Sequence, residues 1–168
     1  MQVREAIAAR KSIRSYLDKP VEPWKLGVVL DAGRMAPTAA NRQEQRIIVV
    51  KDKAIRDELM AACRDQKSIK EAPVVLVVCT NDQREMPCEQ PAHVVDASIA
   101  LSFMMLQATE LGLSTCWLGA FFQDKIRAVL NIPDDFAVVA VSPLGYAAEP
   151  GRDRDRLGID AFVIDEKC

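Results

Sequence analysis

Apolar residues recur at intervals of three and four along much of the chain, which is the spacing of an amphipathic helix. In the first such segment, Val3, Ala6 and Ile7 share one face. Asp52 is placed to cap another segment, because its carboxylate can accept from backbone N–H groups of the first turn. The pattern predicts helices over residues 2–9, 23–35, 53–64 and 92–112, and a short one that ends near residue 130.

The remaining apolar runs are short and rich in β-branched residues, which favours strands. The run VVLVVCT at 74–80 is apolar until its last position, so it predicts a strand buried on both faces. Further strands are predicted at 47–50 and 136–147, a strand or turn at 114–121, and a strand-like end, IDAFVID, at 159–165. Strands and helices alternate without a regular βαβ order, so the expected fold class is α+β, a sheet packed against helices.

The segment 92–112 is the longest predicted helix and is apolar nearly all round. A helix of this kind lies in a core or in a large subunit interface, and Gly112 is expected to end it. A central helix of a monomer and a helix covered by dimerisation both agree with the pattern. His93, near its start, is interpreted as a core or capping residue, with contact to a substrate as the alternative.

Composition and charge describe one ordinary globular domain. The 168 residues are 49% hydrophobic and 27% charged, and the net charge is -2, which argues against a broad nucleic-acid-binding face. Five cysteines without a CxxC pair, and a single histidine, leave no zinc-ligand spacing and so predict no metal. We expect a reduced, cytoplasmic protein without a secretory signal or a membrane span.

Several catalytic and nucleotide-binding motifs are missing from the sequence. There is no GxGxxG fingerprint, no phosphate loop of the GxxxxGK[ST] type, no GxSxG elbow and no HExxH. No pair of side chains stands out as a tuned acid and base, so catalytic residues are not assigned. Any chemistry is therefore expected to belong to a bound cofactor.

The segment RKSIR at 10–14 is the best candidate for an anion site. Arginine forks and a serine hydroxyl suit phosphate oxygens. In an extended stretch, Arg10, Ser12 and Arg14 would point to one side, with Lys11 and Ile13 on the other and Ile13 in the core. The alternative is a solvated, charged turn of the kind that is common in proteins.

A second basic cluster, RDRDR, lies at 152–156, and alternation would again place its three arginines on one side. Because two aspartates intervene, the alternative is a flexible loop that neutralises its own charge. Two loops of small residues, APTAAN at 36–41 and WLG at 117–119, would allow a ligand to approach the backbone closely.

In this order, these segments resemble the FMN-dependent nitroreductase family. The resemblance is collinear over nearly the whole chain, and the segment from 94 to 119 is its most specific part. It rests on RKSIR, APTAANRQ at 36–43, QKSIKEAPVVLVV at 66–78, VVDASIALSFMMLQATELGLSTCWLG at 94–119 and SPLGYAAEPGRDRDR at 142–156.

The resemblance implies a single FMN-binding domain over residues 1–168, with a mixed or antiparallel central sheet packed with helices. It implies an intertwined homodimer with FMN at the interface, in which IDAFVID would reach across to the other subunit. The implied activity is ping-pong reduction of nitroaromatic or quinone-type acceptors, with NADH or NADPH as the co-substrate. The alternatives are another flavin-dependent reaction (dehalogenation, azoline oxidation or flavin fragmentation) and a flavin-binding dimer without turnover.

The resemblance also implies roles for individual residues. Arg10 and Ser12 would hold the phosphate and ribityl end of FMN, helped by Lys11, and Arg14 would lie near the pyrimidine side of the ring, where a cation stabilises the reduced flavin. The other implied cofactor contacts are the loop under the flavin (Pro37, Thr38 and Asn41), the ring contact Gln66, the backbone of Leu118 and Gly119, and the distal pair Arg154 and Arg156.

One departure from the family pattern affects the expected acceptor. Family members usually have Pro-Trp after the N-x-Q stretch, whereas this chain has Glu44 and Gln45. The chain also lacks the long insertion of larger members, so its substrate pocket is expected either to be open or to be lined by the polar segment 81–91.

Overall fold

The computed structural model describes residues 2–166; Lys167 and Cys168, one of the five cysteines, lie outside them, as does Met1. Its strands form one antiparallel sheet in the order β1-β2-β4-β3. The strands are β1 (Gln45–Val50), β2 (Val74–Thr80), β3 (Ser114–Thr115) and β4 (Ala137–Gly145). The helices are α1 (Val3–Ala9), α2 (Pro23–Arg34), α3 (Lys53–Ala62), α4 (Lys67–Glu71), α5 (Ala92–Glu110), α6 (Gln123–Leu130) and α7 (Ile159–Phe162).

The predicted α+β fold, with helices packed on a sheet, is confirmed. All seven residues of β2 are buried, as the uninterrupted apolar run predicts. Successive side chains of a strand point to opposite faces, so Val75 and Val77 pack with Leu59 of α3 and Ile126 of α6. On the other face, Leu76 and its alternate neighbours pack against α2 and α5. The sheet is therefore a middle layer between two sets of helices.

The long predicted helix is α5, which ends before Gly112, a residue with a φ of 71°. Within the described part of the chain, α5 is long and apolar enough to cross a membrane by length and composition alone. It instead packs as a core helix, since Leu101 and Met104 are fully buried beside α2 and the sheet. Gly33 of α2 allows the close approach, because a Cβ there would lie 2.8 Å from Met104 Cγ.

One local prediction is wrong, and two features of the structure were not predicted. The segment IDAFVID contains the four-residue helix α7 instead of a strand, and nothing in it is buried. In α1 only Ala6 is buried, whereas Val3 and Ile7 are 72% and 57% exposed. Helix α4 was not predicted, because five residues are too few for a helical period to show.

Candidate functional site

Two basic segments from opposite ends of the chain line one cavity of about 840 Å³. RKSIR forms one wall and RDRDR, with the preceding Glu149–Gly151 turn, forms another. Phosphate groups bind preferentially to such a set of guanidinium, ammonium and hydroxyl donors. The cavity donors are Arg10, Lys11, Ser12, Arg14, Arg152, Arg154 and Arg156.

The RKSIR wall is held in place by backbone pairing on two sides. Ile13 N donates to Thr115 O of β3 at 3.0 Å, and Ala148 N, just beyond β4, donates to Ser15 O at 3.0 Å. The Ile13 side chain is buried with Tyr16, whose hydroxyl donates to Ile13 O at 2.9 Å. Burial raises the pKa of Tyr16, so this hydroxyl stays protonated and acts as a structural donor. The wall is thus an extension of the sheet rather than a free turn.

The second wall approaches the first through a glycine. A Cβ on Gly151 would lie 2.6 Å from Ile13 Cδ1 and 2.7 Å from Lys11 Cβ. Both distances are too short for real carbon atoms, so only glycine allows the two walls to meet this closely. Beside this contact, Lys11 Nζ lies 2.7 Å from Asp153 Oδ1.

The predicted alternation along RKSIR holds only in part. Ile13 is buried, while Arg10, Ser12 and Arg14 all line the cavity. Lys11 was expected to face the other side, and this was wrong, because it also lines the cavity and pairs with Asp153. In the alternative interpretation, the aspartates of RDRDR would neutralise its own arginines. One of them, Asp153, instead pairs with Lys11 of RKSIR.

Cys116 lies directly behind the RKSIR wall and is fully buried. Burial raises the pKa of its thiol, and the charges of Arg14 and Arg10 and a hydrogen bond with Ser12 oppose this rise only in part. The thiol therefore stays protonated, and Cys116 serves as packing for the wall rather than as a nucleophile.

The predicted loop under the flavin is folded but lies outside the cavity lining. Ala39–Asn41 forms a 3₁₀ turn, and Thr38 Oγ1 accepts from Gln43 N at 3.1 Å. Asn41 and Pro37 are exposed. The loop is tied to α5 by Asp96, whose buried carboxylate accepts from Ala39 N. Sequence reasoning missed Asp96, although a lone carboxylate in the apolar run 94–106 was a visible signal.

Gln66, Leu118 and Gly119 form a third group, near the start of α6. Gln66 precedes α4, and its Nε2 donates to Ala120 O at 3.2 Å. Leu118 is buried and exchanges backbone hydrogen bonds with Val141 of β4. Gly119 is exposed, and a Cβ there would meet nothing within 4 Å. The structure therefore brings Gln66 and the 118–120 backbone together.

The residues that replace Pro-Trp belong to a charged cluster between two loops. Glu44 Oε1 lies 3.6 Å from Arg42 Nη1, and Gln45 is the first residue of β1. Arg84 of the 81–91 loop forms an ion pair with the buried Asp82, which lowers the pKa of that carboxyl. His93 is half-buried, and its Nδ1 has no hydrogen-bond partner among the described residues. The charges of Arg42 and Glu44 act on this Asp82–Arg84 pair.

Comparison with known proteins identifies the class to which this fold and site belong. The model of the Nitroreductase family matches residues 7–70 and 60–146, and the chain belongs to this family, as the collinear motifs predicted. An "NADH dehydrogenase" from Thermus thermophilus is 30% identical over 196 residues, covering 98% of this chain and 96% of that protein.

Two further relatives extend the comparison. An "FMN reductase [NAD(P)H]" from Bacillus subtilis is 27% identical, covering 95% of this chain and 72% of that protein. The crystal structure of a nitroreductase family protein from Clostridium difficile superposes with a TM-score of 0.87 at 33% identity and covers all of both chains. The likeness to this structure therefore extends over the whole chain, including the two walls of the cavity.

Proposed function

We propose that this protein is an FMN-dependent NAD(P)H oxidoreductase. The observation that carries the proposal is the cavity in which RKSIR and RDRDR meet. Its volume of about 840 Å³ lies within the usual range for ligand sites. Two relatives, which are named as an FMN reductase and an NADH dehydrogenase, support the same cofactor and co-substrate.

The residues present fit the phosphate end of FMN. In our proposal Arg10, Ser12, Arg154 and Arg156 bind the phosphate, and Lys11, already paired with Asp153, contributes backbone and charge. Arg forks can each donate two hydrogen bonds to one phosphate, so Arg10 from one wall and Arg154 and Arg156 from the other suffice to surround it. Because Gly151 keeps the walls in contact, the donors are already close together before a ligand enters.

FMN, when bound, supplies the electron-transfer chemistry that the side chains lack. The chain's own residues bind, orient and tune it. Arg14 is exposed at the cavity and provides a permanent positive charge that favours the reduced, more negative state of the ring. Asn41, Gln66 and the backbone at Gly119 provide further polar groups for the ring, and Pro37, Thr38 and Leu118 shape its surroundings.

A homodimer is part of the proposal, because one chain does not gather the whole set of candidate residues. The cavity lining contains six of the twelve and lacks Pro37, Thr38, Asn41, Gln66, Leu118 and Gly119. Large apolar side chains are also exposed on α1, α2, α5 and the C-terminal segment, among them Ile7, Trp24, Phe103 and Phe162. A second copy would cover these surfaces and bring the missing residues to the cavity. Light scattering should give twice the monomer mass.

The proposed acceptors are nitroaromatics and quinones, which need no acid or base from the protein. Purified protein supplied with FMN should oxidise NADH or NADPH when menadione or nitrofurazone is added. Without the acceptor under anaerobic conditions, oxidation should stop once the flavin is reduced. If FMN neither binds to the protein nor raises its melting temperature, the proposed function is wrong.

We place the protein in the cytoplasm. Cys63, Cys79 and Cys116 are buried free thiols, and Cys88 is free and exposed. Such cysteines suit a reducing compartment. Mass spectrometry of protein trapped with an alkylating agent in cells should find the described cysteines as thiols.

A further inference from the structure

Asp96 is a buried carboxylate on an otherwise apolar stretch of α5. Its side chain is 7% exposed, and both oxygens accept from Ala39 N, at 3.0 Å for Oδ1 and 3.1 Å for Oδ2. A buried carboxylate is costly unless hydrogen bonds stabilise it. Its position is therefore explained by what it binds, which is the first residue of the 3₁₀ turn.

The turn that Asp96 holds has an unfavourable backbone. Ala40, Asn41 and Gln43 all have positive φ values, of 53°, 53° and 55°. This left-handed region is comfortable for glycine and acceptable for asparagine, but it is strained for alanine and glutamine. Such a loop keeps its shape only when surrounding contacts determine it.

The remaining hydrogen bonds of this loop are local. Asn41 N donates to Thr38 O at 2.9 Å, and Gln43 Nε2 donates to Asn41 Oδ1 at 3.2 Å. The bonds to Asp96 cross 57 sequence positions and attach the loop to the core helix. They therefore fix where the loop lies, while the local bonds fix only its internal shape.

The charge of Asp96 also acts on Arg84 of the 81–91 loop. The pKa of Arg84 is raised chiefly by its hydrogen bond with Asp82, and the charges of Glu44 and Asp96 add to that effect. Arg84 O in turn accepts from Ala92 N at the start of α5, at 3.0 Å. Asp96 thus lies where the 37–43 loop and the 81–91 loop meet the central helix.

We propose that Asp96 is a positioning residue for the flavin: its carboxylate anchors the 37–43 loop so that Thr38 and Asn41 are presented in a fixed arrangement. This inference rests on the proposed function, in which these two residues contact FMN. Asp96 itself need not touch the cofactor, and it acts through the amide of Ala39.

Three variants separate anchoring from general stability. Asp96→Ala removes the acceptor. Ala39→Pro removes the donor and sets the proline ring against the carboxylate, so it breaks the anchor without a change in α5, and proline suits the first position of a helical turn. Asp96→Asn keeps one neutral acceptor. The matched control is Thr109→Val, which removes the 2.9 Å bond from Thr109 Oγ1 to Met105 O on the same helix, away from the loop.

The measurements are the FMN dissociation constant of the folded protein, from flavin fluorescence, and hydrogen exchange of the Asn41 and Gln43 amides in the flavin-free protein. Asp96→Ala and Ala39→Pro should weaken FMN binding about 10-fold or more, as expected for a lost charge-assisted hydrogen bond. Both should speed loop exchange by a similar factor. Asp96→Asn should weaken binding only about 3-fold, and Thr109→Val should change neither quantity.

The inference is overturned if Ala39→Pro and either Asp96 variant keep the wild-type dissociation constant and exchange rates, even if they melt at a lower temperature. Should Asp96→Ala fail to fold, Ala39→Pro and Asp96→Asn decide the question alone. If the wild-type protein does not bind FMN, the proposed function fails and the flavin role of Asp96 fails with it. If wild type binds but the variants bind equally well, only the inference about Asp96 fails.

Discussion

The side chains of Lys11 and Asp153 join the two ends of the chain across the cavity, with 2.7 Å between Nζ and Oδ1. Asp153 is 93% exposed, so this ion pair adds little stability by itself. The tight packing of Gly151 on Ile13 and Lys11 is the stronger constraint. The pair therefore marks where the two basic segments meet, and the glycine determines how closely.

Replacing Gly151 with alanine should separate the two walls. The new Cβ would lie 2.7 Å from Lys11 Cβ, which cannot move without the backbone. We expect FMN binding to weaken by about 5- to 10-fold, because the arginines of the two walls no longer reach the same phosphate. Equilibrium titration with FMN measures this. Gly158→Ala is the control, since a Cβ there meets nothing within 4 Å, and an equal effect of both changes would contradict the packing argument.

Arg10→Ala should chiefly weaken binding of the phosphate. A lost charge-assisted hydrogen bond is worth about 1.5–3 kcal/mol, so FMN affinity should fall about 10- to 100-fold. Riboflavin has no phosphate, and its affinity should change little. Arg4→Ala, in the exposed part of α1, is the charge-matched control. A loss of affinity that is the same for FMN and riboflavin would show that Arg10 does not bind the phosphate.

Arg14→Ala should lower the reduction potential of the bound flavin. A fixed cation near the ring favours its reduced, more negative state, and removing the cation removes that preference. Redox titration against a reference dye measures the change, with Arg10→Ala as the comparison that alters affinity more than potential. An unchanged potential in Arg14→Ala would refute the tuning role.

Tyr146→Phe should make stability less dependent on pH in the acid range. The hydroxyl donates to Glu22 Oε2 at 2.6 Å and accepts from Lys25 Nζ at 2.9 Å. The hydrogen bond from Tyr146 lowers the pKa of Glu22 below its ordinary value of 4.5, so its contribution is present above that pH and is lost as the pH falls through the folded pKa. The pKa of Lys25 is raised above 10.5 by the same hydroxyl, so its contribution is present below that pH.

The melting temperatures of wild type and Tyr146→Phe should therefore differ most near neutral pH, and the difference should narrow in acid, where only the hydrogen bond from Lys25 remains. Thermal unfolding followed by circular dichroism between pH 3 and pH 8 gives the comparison. Lys19 Nζ lies 3.9 Å from the ring centre, and phenylalanine preserves that contact. A difference that stays constant over the whole range would show that the hydrogen bond to Glu22 does not contribute.

The sequence predicted those elements whose partners lie in the same chain. The run at 74–80 specifies a strand buried on both faces because sheet and helices cover it from both sides. IDAFVID has the composition of a strand, but it pairs with none of the described strands and forms the short helix α7. For Val3 and Ile7 the helical spacing was right, yet both side chains are exposed in the single chain.

The candidate site was predicted in parts rather than as a whole. RKSIR and RDRDR were each visible as basic clusters, but their meeting depends on the pairing of Ala148 with Ser15, and no local pattern encodes that pairing. Gly151 was not singled out from the sequence, because its importance comes from what its missing Cβ would touch. Asp96 stands out as a carboxylate among apolar residues, but its contact with the distant amide of Ala39 is seen only in the structure.

The central claim is that this chain binds FMN and reduces it with NADH or NADPH. The most direct test is the visible absorption spectrum of the purified protein, loaded with FMN and freed of excess, before and after anaerobic addition of NADH or NADPH. We predict a flavin spectrum that persists through gel filtration and bleaches on addition of the nucleotide. A colourless protein after gel filtration, or a flavin spectrum that neither nucleotide bleaches, would contradict it.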